Sequence, residues 1–202
     1  MRYVKLVLPA LFALALVAGC AKPPLQDIQA AKATVDQATA EGAADYAQPA
    51  LTEAQNAATA LDAELQAQEK KFALFRSYKQ TMTLAADLKS KGETAVTAAK
   101  AGKEQAKNEA QTLINEAKAS REEANSALAT APAGKGSKAD IDALKADVQG
   151  VDTSLGAADA AFNEGRFLEA KAKAQAAKAA ADTVKAQVQR AMEMKKAARK
   201  KA

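Results

Sequence analysis

Histidine and tryptophan are absent from this 202-residue chain, cysteine occurs once, and aromatic residues make up only 4%. Without histidine, Ser-His and Cys-His nucleophilic pairs and histidine-ligated metal centres cannot be built. The single cysteine, Cys20, excludes an intramolecular disulfide. Carboxylates alone can do acid–base work, but Glu122-Glu123 and Asp140/Asp142 fall on polar helical faces, where a solvated surface is expected. Phosphate-binding glycine loops, dinucleotide fingerprints and calcium-loop spacings are missing as well. The expectation is a protein that is not an enzyme, with no cofactor and no metal site.

What is abundant is alanine. The chain is 49% hydrophobic, yet much of that fraction is the best helix former and a poor source of buried area. With nine glycines and five prolines, few residues interrupt helices. The expected fold is all-α: an elongated antiparallel helical bundle of about five helices, with one long spine helix and a C-terminal helical hairpin.

The periodicity supports that order. After the tether Ala21-Lys22-Pro23-Pro24, a first helix is expected over Leu25 to Ala40, with Leu25, Ile28, Ala31, Val35 and Ala38 on one face and a stop near Gly42. A second starts near Tyr46, with Pro49 in its first turn. Its seam reads Leu51, Ala54, Ala58, Leu61, Leu65, Gln68, Phe72 and Phe75, a heptad pattern with one polar position. The pattern loses step at Lys79, which places a bend between about Lys71 and Ser77.

The spine is expected from Tyr78 to Thr130, with an inner face of Met82, Ala85, Leu88, Gly92, Ala95, Ala99, Gly102, Ala106, Leu113, Ala117 and Ala124. Gly92 and Gly102 each cost about 1 kcal/mol relative to alanine in a helix, so close helix approach is the expected compensation, with a hinge at Gly102 as the alternative. After a loop at residues 131–136, Ser137 is expected to cap a fourth helix with a strict heptad of Ile141, Leu144, Val148, Val151, Leu155, Ala158 and Phe162. Asn163-Glu164-Gly165 turns the chain into a fifth, carrying Phe167, Ala170, Ala174, Ala177, Ala181, Val184, Val188 and Ala191. Gly42 to Tyr46 and Gly165-Arg166-Phe167 each set an aromatic just after a glycine turn, a faint internal repeat.

Charge is unevenly placed. Residues 166–202 hold eleven Lys/Arg against three acids, whereas residues 20–165 hold sixteen against twenty-one. Residues 138–164 carry six acids and two lysines, so the fourth helix is expected to neutralise the fifth as far as about Arg190. Lys195, Lys196, Arg199, Lys200 and Lys201 overhang that partner. They are expected either to end the helix as a solvated tail or to contact peptidoglycan carboxylates, lipid phosphates or an acidic envelope protein.

Residues 1–20 have the layout of an export signal: Arg2 and Lys5, an apolar run from Leu6 to Val17, and small residues before Cys20. A membrane span needs about 20 apolar residues, more than this run supplies, and Pro9 lies inside it. Leu16-Val17-Ala18-Gly19-Cys20 resembles the lipobox of bacterial lipoproteins. The resemblance implies a lipidated Cys20, and Ala21 after it resembles the outer-membrane sorting pattern of enteric bacteria. Two or more acyl chains give stable anchoring where one gives only marginal binding. Tyr46-Ala47-Gln48-Pro49-Ala50-Leu51-Thr52-Glu53-Ala54 is similar to an alanine-rich bacterial lipoprotein family whose N-terminal region is known only as a domain of unknown function. The stretch from Phe162 to Ala170 resembles a tetratricopeptide-like hairpin, without the 34-residue period of an array.

The organisation expected is thus a signal (1–19), a lipidated cysteine and tether (20–26), an alanine-rich helical region (27–130), a loop (131–138) and a C-terminal hairpin with a basic tail (139–202). The role expected is a lipid-anchored scaffold or spacer of the cell envelope on the periplasmic face of the outer membrane. An adaptor whose hairpins bind a partner of an export or cell-wall machine is the alternative. The membrane, through Cys20, is the first partner; peptidoglycan or an envelope protein is the second; export counts against nucleic acid.

Overall fold

A computed structural model describes residues 22–131 and 137–201. Cys20, the signal and most of the loop at residues 131–138 lie outside the described residues. The chain is an all-α helical bundle, and no strand occurs among the described residues. Its helices are α1 (Leu25–Ala40), α2 (Ala43–Tyr46), α3 (Gln48–Glu69), α4 (Lys79–Ala129), α5 (Ser137–Asn163) and α6 (Phe167–Lys201), with a 3-10 turn at Ala73–Phe75. The sixth helix, beyond the five expected, is the single turn α2. No described helix is long and apolar enough to cross a membrane. The chain forms two compact units that divide inside α4, after Gly102.

In the first unit, α1, α3 and the first half of α4 run up, down and up. Ile28 and Ala31 at the start of α1 meet Leu61 and Leu65 near the end of α3, and Ala85 and Leu88 near the start of α4. At the other end, Ala38 and Ala43 meet Leu51, Ala54, Ala95 and Ala99. Gly42 turns the chain between these helices at φ 85°, and its N–H donates to the Thr39 carbonyl (3.0 Å), one of the orphan acceptors at the end of α1.

The two helical glycines of α4 are explained by close approach. A Cβ on Gly92 would overlap Thr34 Oγ1 and stand 2.6 Å from Thr34 Cβ, while one on Gly102 would overlap the Tyr46 carbonyl oxygen and stand 3.1 Å from Tyr46 Cβ. Close approach to Tyr46 thus accounts for a glycine at position 102, the last residue of the first unit.

Several faces expected from the sequence turn out differently. Leu25, Phe72, Phe75 and Met82 are exposed, whereas Thr34, Tyr78 and Thr81 are buried. The second seam ends early because α3 stops at Glu69, so Phe72 and Phe75 belong to the loop. Ala57 is buried and Ala58 only half-buried. On α4, Ile114 rather than Leu113 is enclosed, because the buried stripe takes two steps of four through Ala106, Ala110 and Ile114 before it returns to threes and fours.

In the second unit, the rest of α4 packs with α5 and α6. Val148, Val151 and Leu155 of α5 interleave with Ala177, Ala181 and Val184 of α6 over Ala117 and Ala124 of α4, as the large-against-small pattern predicts. The turn between α5 and α6 is built on Gly165 at φ 78°. Arg166 N–H donates to the Ala161 carbonyl (2.9 Å) and Gly165 N–H to that of Phe162 (3.0 Å), the paired bonds of a Schellman ending. Above it the rings of Phe162 and Phe167 meet edge to face, 5.3 Å between centroids.

Candidate functional site

Charge and exposed apolar surface are the two features from which a site can be built. The charges of the second unit are mostly spoken for, but by partners other than those expected. Acids of α5 pair with α4: Asp152 takes the Arg121 guanidinium in a two-pronged contact (2.7 and 3.0 Å), and Asp159 takes Lys118 (2.9 Å). Bases of α6 pair with α4 as well, Lys171 with Glu109 (2.5 Å) and Lys185 with Glu123 (2.6 Å). The long helix therefore mediates between an acidic and a basic neighbour, and among the described residues the direct neutralisation expected between the fourth and fifth helices is confined to Arg166 with Glu164 (2.7 Å) at their turn. Helix α4 offers both signs, which lets it serve each side.

The titration behaviour follows these contacts. Hydrogen bonds from Lys171 and then Gln105 lower the Glu109 carboxyl below its ordinary value. The Arg121 hydrogen bonds hold Asp152 down against the opposing effect of burial, and Asp152 and Glu122 raise Arg121 in return. Burial acts to raise Asp182, but hydrogen bonds from Lys178 and Lys185 outweigh it, so its carboxyl is lowered. Glu123 and then Asp182 raise Lys185. Each shift is led by hydrogen bonds to an oppositely charged side chain at the surface, with Gln105 adding to that of Glu109, the pattern of structural pairing.

An open depression of about 510 Å³ lies over Asn108, Glu109, Thr112, Leu113, Glu116 and Lys171. Its one cation, Lys171, is engaged with Glu109. Among the described residues no three side chains of the metal-ligating types converge.

Of the tail residues, Lys195, Lys196 and Lys200 are exposed on the last turns of α6, which runs to Lys201. The side chains of Arg199 and Lys201 lie outside the described residues.

The bend expected between about Lys71 and Ser77 is present as the loop that joins α3 to α4; what the sequence reading missed is that Phe72 and Phe75 lie exposed on it instead of continuing the seam. Here Lys70-Lys71-Phe72-Ala73-Leu74-Phe75-Arg76 forms a fixed tip. Phe75 N–H donates to the Phe72 carbonyl (2.8 Å), and the two rings lie 6.4 Å apart. Arg76 donates from its guanidinium to the Lys71 and Glu69 carbonyls (3.0 Å each), satisfying acceptors that the end of α3 leaves open. Gln68, the polar position of the seam, is buried. Its amide nitrogen donates to Glu64 (2.6 Å) and its oxygen accepts the Ser77 N–H (3.0 Å), tying both sides of the loop together. The available signal was the cluster of cations around two phenylalanines, just before the pattern loses step.

No protein-family model matches this chain, and neither does any curated protein or solved structure.

Proposed function

We propose that the protein is a lipid-anchored, non-enzymatic scaffold or spacer of the bacterial cell envelope, held at the outer membrane through Cys20 and facing the periplasm. The observation that carries this reading is the run from Arg2 to Cys20: a basic start, an apolar stretch, small residues and then the only cysteine of the chain. The Cys20 thiol would displace the phosphorylated headgroup of a phospholipid, giving a thioether to diacylglycerol and releasing that headgroup and a proton; water would cleave the Gly19–Cys20 bond, and the freed amino group would take an acyl chain from a second phospholipid, releasing the lysophospholipid. The helices after the Pro23-Pro24 tether supply length and surface; the paired charges along them favour a structural role over a chemical one.

The test is metabolic labelling with a tagged fatty acid, followed by membrane fractionation. The native chain should carry the label and sediment with membranes; Cys20→Ala should lose the label. Undiminished labelling of the variant would contradict the reading.

A further inference from the structure

The large apolar side chains that the first unit leaves in solvent gather at one end. Phe72 is 69% exposed, Leu74 49% and Phe75 76%, and Leu25 and Met82 are exposed at 61% and 54%. Leu25 begins α1 and Met82 lies in the first turn of α4. The cluster of Ile28, Leu61, Leu65, Ala85 and Leu88 places both helix starts beside the end of α3, where the Phe72–Phe75 tip projects. Two of the five phenylalanines in the chain are spent on this tip, and the hydrogen bonds of Arg76 and Gln68 hold its backbone in place. Lys70, Lys71, Arg76 and Lys79 surround it, and no acid occurs between Glu69 and Asp87.

We infer that this tip is a membrane contact: Phe72, Leu74 and Phe75 enter the headgroup–acyl boundary of an anionic phospholipid bilayer, while the surrounding cations meet lipid phosphates. Apolar side chains ringed by Lys and Arg match such a boundary in both polarity and charge, with the lysine stems able to lie along the apolar layer. A second copy of the chain fits poorly. Two tips face to face would oppose eight cations, and three part-exposed side chains offer on the order of 300 Å², well below what one partner contributes to a stable dimer.

The inference deepens the reading of Cys20 as the lipid anchor. In that reading, Cys20 lies five residues before Leu25, a reach of about 17 Å at most, so the end bearing the tip is held at the bilayer. A lipid anchor alone leaves orientation free. An inserted tip fixes it, with α1 and α3 pointing away from the surface.

The chain has no tryptophan, so Phe75→Trp supplies a single fluorescent probe. Chain 21–202, which contains every described helix and no acyl chain, is mixed with phosphatidylglycerol vesicles and with phosphatidylcholine vesicles. Expected is a blue shift of the emission, and quenching by brominated acyl chains, on the anionic vesicles only. Changing Lys70, Lys71 and Lys79 to Gln, with Arg76 kept for its backbone bonds, should weaken binding about a hundredfold. Changing Phe72 to Ser in addition should weaken it at least about tenfold more. Circular dichroism follows the fold of each variant, and quenching in the chain with its lysines intact decides the matter even if the triple variant unfolds. Unchanged emission on anionic vesicles would overturn the inference. So would a shift that grows with protein concentration in the absence of vesicles, or one that appears only with an added envelope protein. This protein lacks Cys20, so the outcome is independent of the labelling experiment: the tip can insert where lipidation fails, and lipidation can hold where the tip does not insert.

Discussion

The two units share one alanine-rich composition and one long helix, yet they hold together by different devices. In the first, backbones come close enough that Gly92 and Gly102 leave no room for a methyl group against Thr34 and Tyr46. In the second, Gly150 and Gly156 meet nothing within 4 Å, and the space between helices is filled by Val148, Val151, Leu155 and Val184. The second unit then adds ion pairs from α4 to both neighbours, whereas the first has Lys32–Asp62 (2.6 Å) and Lys100–Glu41 (3.3 Å) between its helices. An alanine stripe can thus be packed by drawing helices together or by facing it with larger side chains. Glycine placement tells which device is used.

The largest effects should come from the few large side chains that are fully enclosed. Leu61→Ala in the first unit should cost about 2–5 kcal/mol in urea unfolding, because Leu61 is sealed among Ile28, Ala85 and Leu88. A cost below about 1 kcal/mol would mean that glycine contacts alone hold that unit. Phe162→Ala should cost less than the roughly 3–5 kcal/mol of a fully enclosed ring, since Phe162 is only half-buried against Phe167. An unchanged melting temperature would show that the corner contributes nothing.

The ion pairs of the second unit should give the smallest effects. A double-mutant cycle on Arg121 and Asp152 should yield about 0.5–1 kcal/mol, falling with salt, because both partners are partly exposed. Asp152 is lowered in the folded state, so its contribution is present above the unfolded carboxylate value of about 3.9 and is lost as pH falls through the lower folded value. Coupling that does not diminish as pH is lowered from neutrality to well below the unfolded carboxylate value would show that the charge pairing is not its source.

Much of this was legible in the sequence. Val148, Val151, Leu155 and Ala158 repeat by threes and fours with no competing residue, so the α5 face follows directly. Gly92 and Gly102, poor helix residues on an inward face, pointed to close approach. The bend after α3 was legible, but Phe72 and Phe75 were assigned to the seam because heptad counting continues through a helix end that neither glycine nor proline marks. At that end Arg76 donates to the open carbonyls of Glu69 and Lys71, and Gln68 accepts the Ser77 N–H across the loop, contacts over a distance that periodicity does not register. Leu113 and Ile114 are adjacent and both apolar, so only the change of step after Ala106 decides which one is enclosed. The α4-mediated pairing was hidden for a similar reason: charge counts say which helices are acidic or basic, not which charges of a third helix packed against both will meet them.

The most direct test of the contrast between the units is one substitution made in each. Gly102→Ala and Gly156→Ala both replace a helical glycine with a better helix former, and urea unfolding reads both. Gly156→Ala should stabilise by about 0.5–1 kcal/mol, the helix preference acting in open space. Gly102→Ala should destabilise by about 1–3 kcal/mol, because overlap with the Tyr46 backbone outweighs the same preference. Opposite signs are the predicted result. Two stabilised variants would contradict the claim that the first unit is held by close backbone approach.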